Sequence, residues 1–156
     1  MPAFAKGFVE EPFRASALAI DAARKRRHAT EKVAAPVLNP SLVERLEAVR
    51  DHIHRHVTEP VTLADLAALA ALSPSYLVRA FKAHVGVPPH RYLVELRLEL
   101  AQDLLVRSTL SVTQIAHRVG FASASHFITR FQAACGTTPF RFRREALLLA
   151  RAAVRA

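Results

Sequence analysis

From residue 42 the apolar positions fall into a helical rhythm. Leu42, Leu46, Val49, Ile53 and Val57 recur every three or four residues with charged and polar residues between them, a pattern that buries one face of an α-helix. Asn39 is suited to cap that helix, Pro40 to its first turn, and Ser41 with Glu44 to a capping box. The helix is expected to end before Pro60. Two further helices are announced by a hydroxyl cap with an acceptor three residues on, Thr62 with Asp65 and Ser111 with Gln114. These starts lie 49 residues apart, and nearly the same text follows each.

An internal repeat decides an architecture before any single residue does. After "LADLAALA" comes the turn "ALS", and after "VTQIAHRV" comes "GFAS". Gly120 can take the left-handed backbone that a tight turn between helices requires. The first copy has Ala71 there, so its turn is expected to be strained or differently shaped. From the caps Ser73 and Ser123 onward the offset becomes 50. Leu77 then matches Phe127, Phe81 matches Phe131, Gly86 matches Gly136, Pro89 matches Pro139 and Tyr92 matches Phe142. Each copy reads as helix, short turn, helix, glycine stop and proline, which describes a helix-turn-helix. Leu66, Leu72, Leu77 and Phe81 in one copy, and Ile115, Phe121, Phe127 and Phe131 in the other, are core positions contained within the repeat. Each copy is therefore expected to fold around its own residues.

Between the copies, Tyr92, Leu93, Leu96, Leu100 and Leu104 read as one apolar stripe of a long helix. Residues 89–107 would span about 28 Å at the α-helical rise. The predicted fold class is all-α, with two helix-turn-helix subdomains joined by a long central linker helix. Residues 1–40 read as an arm or linker and 41–145 as the tandem domain. Within it the first unit covers about 41–88, the linker helix about 89–108 and the second unit about 111–145, leaving 146–156 as a C-terminal helical tail.

Charge narrows the partner. Among 156 residues, 22 Lys and Arg face 13 Asp and Glu, a formal net charge of +9 with a pI near 11.0, which favours a polyanion. Residues 112–144 contain Arg118, Arg130, Arg141, Arg143 and Arg144 and no acid. A single cysteine excludes an intramolecular disulfide framework and suits a reducing compartment. No apolar run reaches the length of a membrane span, and the N-terminus lacks the basic-then-apolar order of a secretory signal. A cytoplasmic location without a membrane partner follows as the expectation.

The second helix of each copy supplies the candidate chemistry. With Leu77 and Phe81 turned inward, the opposite face of the first is Ser75, Val78, Arg79 and Lys82. Arg79 can hold a guanine edge with two hydrogen bonds, Val78 can meet a thymine methyl, and Lys82 can reach phosphate. The corresponding second face is Ser125, Ile128, Thr129 and Gln132. Thr129 takes the place of Arg79, so base readout there should be weaker. Arg118, Arg130, Gln132, Arg141, Arg143 and Arg144 are the remaining phosphate candidates. Successive major-groove faces lie about 34 Å apart, so a rod of the linker's length would present both helices to double-stranded DNA as a monomer.

The sequence "LADLAALAALSPSYLVRAFKAHVGVPPHRYLVELRLELAQDLL" followed by "SVTQIAHRVGFASASHFITRFQAACGTTPFRFRR" resembles the DNA-binding domain of the AraC/XylS family of bacterial transcription regulators. The likeness covers roughly residues 41–145, and its most specific part is "IAHRVGFASASHFITRFQAACGTTPFRFR". It implies two helix-turn-helix subdomains, transcription control and, in many members, activation through contact with RNA polymerase. By position it carries the base-reading role to Ser75, Val78, Arg79 and Lys82, and to Ser125, Thr129 and their neighbours. Most members carry a sizeable N-terminal domain; forty residues are too few for one, so the reading is a stand-alone member or a fragment.

Other features have simpler readings. Cys135 aligns with Val85 and reads as a small apolar position before the glycine stop rather than a nucleophile. His52 and His56 have the spacing of metal ligands on a helix, but no Cys or carboxylate shares their stripe, and His126 replaces Tyr76 at a packing or phosphate-contacting position. The run "ARKRRH" at 23–28 reads equally as a phosphate-touching arm or a solvated face. No phosphate-binding loop, dinucleotide fingerprint or nucleophile elbow is present, so no catalytic residue, metal or cofactor is expected. The alternative to a DNA-binding regulator is a helical interaction module, such as an antagonist of a related regulator, that has lost specific DNA binding.

Overall fold

A computed structural model describes residues 36–155. The expected arm, with the basic run at 23–28, lies outside the described residues apart from its last few positions. Among the described residues there are seven helices and no strand: α1 (Pro40–Arg55), α2 (Leu63–Leu69), α3 (Pro74–Val85), α4 (Pro89–Arg107), α5 (Val112–Arg118), α6 (Ala124–Cys135) and α7 (Pro139–Arg155). Helices α2 and α3 form the first helix-turn-helix, α5 and α6 the second.

Local chemistry accounts for the helix starts. Asn39 caps α1 by accepting from the Leu42 N–H at 2.8 Å. The capping box expected of Ser41 and Glu44 does not form, because Asn39 starts the helix early enough to place Ser41 inside it. Thr62 with Asp65, and Ser111 with Gln114, do form reciprocal boxes at the starts of α2 and α5. The Asp65 carboxyl is held below its ordinary pKa, first by the Thr62 hydroxyl and then by the Thr62 backbone N–H. Ser73 and Ser123 cap α3 and α6, and both helices end on a left-handed glycine, Gly86 and Gly136.

The two turns close alike. Ala71 and Gly120 send their N–H groups back to Ala68 and His117, and the next residues, Leu72 and Phe121, send theirs to Ala67 and Ala116. This is the closure that needs a left-handed residue at the first of the two positions. Gly120 takes it with φ 93°, and Ala71 takes it with φ 51°, the one non-glycine among the described residues with positive φ. The strain expected of the first turn is thus located in a single backbone angle.

Two cores form, one for each unit. The first gathers Leu42, Leu46, Val49 and Ile53 of α1 with Leu66, Leu77, Phe81 and Leu93. The second gathers Ile115, Val119, Phe121, Phe127 and Phe131 with Val94, Leu98, Ala101 and Leu105 of α4. Phe81, Phe127 and Phe131 are fully buried, each contributing about 2–3 kcal/mol by removal from water. The second core is the more aromatic: Phe121, Phe127, Phe131 and Phe142 follow one another edge to face at centroid distances of 5.3, 5.6 and 5.5 Å.

Helix α4 departs from the stripe expected of it. Leu100 is 40% exposed, and the buried positions are Pro89 and Leu93 on one side and Val94, Leu98, Ala101 and Leu105 on the other. The spacing of the latter four, four then three then four, repeats that of Leu42, Leu46, Val49 and Ile53 in α1. Tyr92 in turn packs on Phe81 as Phe142 of α7 packs on Phe131. The helix therefore closes the first unit as α7 closes the second, and opens the second unit as α1 opens the first. Its two stripes lie about 160° apart at 100° per residue, so the expectation that each copy folds on its own residues is corrected: both cores need α4.

Candidate nucleic-acid interface

Helix α3 projects one face away from the first core. Ser75 and Arg79 are exposed, Val78 and Lys82 half-buried beside them. The Arg79 guanidinium carbon stands 5.8 Å from the centre of the Tyr76 ring, a cation–π contact that narrows the range of the arm before it meets a ligand. Helix α3 is braced behind this face. His84 pairs with Glu47 of α1, and Arg45 donates to the Ala70 carbonyl at 3.2 Å, holding the turn against α1.

On α6, Ser125, Thr129 and Gln132 are exposed. The Thr129 hydroxyl donates to the Ser125 carbonyl at 3.0 Å, so what it offers outward is acceptor capacity and a methyl group. Ile128 packs half-buried against the second core, leaving only an apolar edge for a ligand. Beside this face, Arg130 Nε donates to His126 Nε2 at 3.2 Å. That contact makes the pair a polar rim, an arrangement readable from the i, i+4 spacing only once the helix is known.

The basic residues divide into two groups. Arg118 and Arg144 are exposed on α5 and α7, and Arg141 is exposed while pairing with Glu145 at 2.9 Å. Arg143 does not belong with them. Its Nε donates to the Leu105 carbonyl at 2.9 Å and its second nitrogen to the Leu110 carbonyl at 2.6 Å. The guanidinium is taken up by the last turn of α4 and the loop that follows it, which corrects the phosphate role expected of it. Arg97 of α4 does the same for the loop between α1 and α2, donating to the Val57 carbonyl at 2.8 Å and the Glu59 carbonyl at 2.7 Å. Burial lowers the Arg97 pKa from its ordinary value. Sequence reading passed over this residue, although a lone arginine in the apolar run "YLVELRLEL" is the kind of charge that needs an internal partner.

The remaining candidates are placed as follows. Cys135 is half-buried, accepts from Gln102 Nε2 at 3.3 Å, and has its thiol pKa pushed up by burial, the reverse of what a nucleophilic thiolate needs. His54 bonds to the Tyr92 hydroxyl at 2.7 Å, and His56 to Glu59 at 3.0 Å, with the His52 ring stacked on His56. Among the described residues no group of three or more His, Cys, Asp or Glu is placed to hold a metal ion. Among them also, no helix is long and apolar enough to cross a membrane.

A protein-family profile described as a helix-turn-helix domain matches residues 66–145. The transcriptional activator RhaS of Escherichia fergusonii is 40% identical over 99 residues, covering 64% of this chain and 36% of that protein. The chain spans less than half the length of the first curated relatives it matches. Among solved structures, the DNA-binding domain of the transcriptional factor AdpA in complex with a target DNA aligns with a TM-score of 0.62 and 31% identity, covering 65% of this chain and 91% of that one. A transcriptional regulator from Chromobacterium violaceum with an AraC-type DNA-binding domain aligns with a TM-score of 0.61 and 30% identity, covering 69% and 96%. The paired turns, the shared helix and these likenesses converge, and the chain belongs to the AraC/XylS family of helix-turn-helix transcription regulators.

Proposed function

We propose that this chain binds double-stranded DNA as a monomer, laying α3 and α6 in successive major-groove segments, and so controls transcription in the cytoplasm. The observation that carries this reading is the presentation of two serine-capped helices, each with its apolar side buried and its polar side exposed, by the single 19-residue helix α4. Ser75, Val78 and Arg79 read bases from α3. Ser125, Thr129 and the edge of Ile128 do so more weakly from α6. Lys82, Arg118, Arg130, Gln132, Arg141 and Arg144 hold phosphates. The name of the RhaS relative supports activation, which would place RNA polymerase among the partners.

The test is binding to duplexes selected from genomic fragments, followed over a salt series. With five cations on phosphates, the logarithm of the affinity should fall against the logarithm of salt with a slope of about −4 to −5. Footprints should be asymmetric, with one chain bound to two unlike segments about one turn apart. A flat salt response would favour the interaction-module reading, for which the short side chains of the α6 face are the motive. A palindromic footprint carrying two chains would contradict the monomer.

A further inference from the structure

Besides sharing α4, the two units approach each other at a junction around Arg97. Arg97 holds the loop after α1 through the Val57 and Glu59 carbonyls. The turn of the second helix-turn-helix approaches the same place. A Cβ on Gly120 would lie 2.8 Å from the Thr58 carbonyl oxygen and 2.9 Å from both Nε and Cζ of Arg97, nearer than real side-chain carbons come. Glycine is therefore required there twice, for its φ of 93° and for the approach of the second unit to the first. Arg143 makes a similar fork to the end of α4 and the loop after it within the second unit, so the arginine fork recurs while the fork at the junction of the two units belongs to Arg97.

We propose that Arg97 is a positioning residue for two-site DNA recognition. Its guanidinium fixes the α1–α2 loop against which the Gly120 turn is seated, and so sets the angle between α3 and α6. This rests on the reading that both helices enter the groove. A planar fork suits the task because it satisfies two carbonyls from one rigid group. Helix α4 fixes the distance between the units and, through its two buried stripes, their approximate rotation; the Arg97 junction pins the remaining freedom in that packing.

The experiment measures affinity for a selected duplex and for versions with one or two base pairs added or removed between its two segments. Wild-type protein should lose about tenfold or more when the spacing changes, the scale of one lost specific contact. Arg97→Met should lose about tenfold at the native spacing and bind all spacings within about threefold of one another. Its affinity for each isolated segment should match that of the wild type. Arg97→Lys, which keeps the charge without the fork, should flatten the profile in the same way and show that charge is not the cause. Gly120→Ala opens the junction from the other side and provides a second route if Arg97→Met fails to fold, as judged by circular dichroism. It too should flatten the profile, whereas Ala71→Gly at the matching turn should not. An Arg97→Met variant that lost affinity equally at every spacing would overturn the proposal and leave Arg97 a purely structural residue. A wild-type profile that is itself flat would overturn it together with the two-site reading, and would be seen before any variant was made.

Discussion

Ala71 and Gly120 hold one place in the two turns, and the difference between them is a backbone angle. Ala71 sits at φ 51° and is exposed, so its methyl group meets no neighbour that would make up for a left-handed conformation costing about 1–2 kcal/mol. Part of that cost is offset by the freedom an unfolded glycine would gain, about 0.4–1 kcal/mol. Ala71→Gly should therefore stabilise the protein by about 0.5–1 kcal/mol and raise the melting midpoint by about 2–4 °C; a lower midpoint would show the turn to be unstrained. This residue was legible in the sequence because the repeat supplied its counterpart. Arg143 was not, since nothing in a run of arginines says which of them turns inward to satisfy carbonyls. Arg79 is the one guanidinium among the eight face positions of α3 and α6. Arg79→Ala should weaken binding to a selected site by about 1–3 kcal/mol and relax preference at a single base pair. Competition with single-base variants measures this, and equal losses on selected and random duplexes would mean that it holds only phosphate.

At the scale of elements, caps and stops were readable because they are local chemistry. The boxes at Thr62 and Ser111 and the glycine ends of α3 and α6 depend on residues a few positions apart. Helix α4 was harder, because two stripes on opposite faces leave no single apolar side, and periodicity reports only an imbalance between sides. Its length came through unchanged, while its role as a passive rod did not. The buried set Val94, Leu98, Ala101 and Leu105 runs across Leu100. Two residues inserted after Leu100 would swing the later pair about 200° from the earlier pair. A sequence-based picture of separate cores would have the second unit rotate intact. The structure predicts instead that the second core comes apart, at a cost of several kcal/mol, as when about two buried aliphatic side chains are lost. Thermal melting and near-ultraviolet circular dichroism of the insertion variant distinguish these outcomes: an unchanged midpoint with intact aromatic signals would show that α4 is a spacer after all.

Across the whole molecule the duplication is visible in fold and unequal in detail. The first unit has the longer polar side chains on its exposed helix, with Arg79 and Lys82 where the second has Thr129 and Gln132, and the second has the more aromatic core. That division was legible from the aligned repeats. The junction of Arg97, Thr58 and Gly120 was not, because its members lie in three different segments that only the packed fold brings together.

A helix shared by two cores also governs how the protein comes apart. Neither unit can lose its structure without withdrawing α4 from the other, so opening one leaves the other with an unfilled wall. Calorimetry of the described domain should show one transition, with equal calorimetric and van't Hoff enthalpies, of about 80 kcal/mol for some 120 residues near 60 °C. Leu46→Ala, buried in the first core, should accelerate hydrogen exchange at the amides of α6 in the second as much as at those of α3. Two separate transitions, or exchange altered in the first unit alone, would mean that the halves open independently. With a single transition, a cell's proteases would find no half-unfolded intermediate to cleave, and the population open to degradation would follow the stability of the pair rather than that of its weaker member.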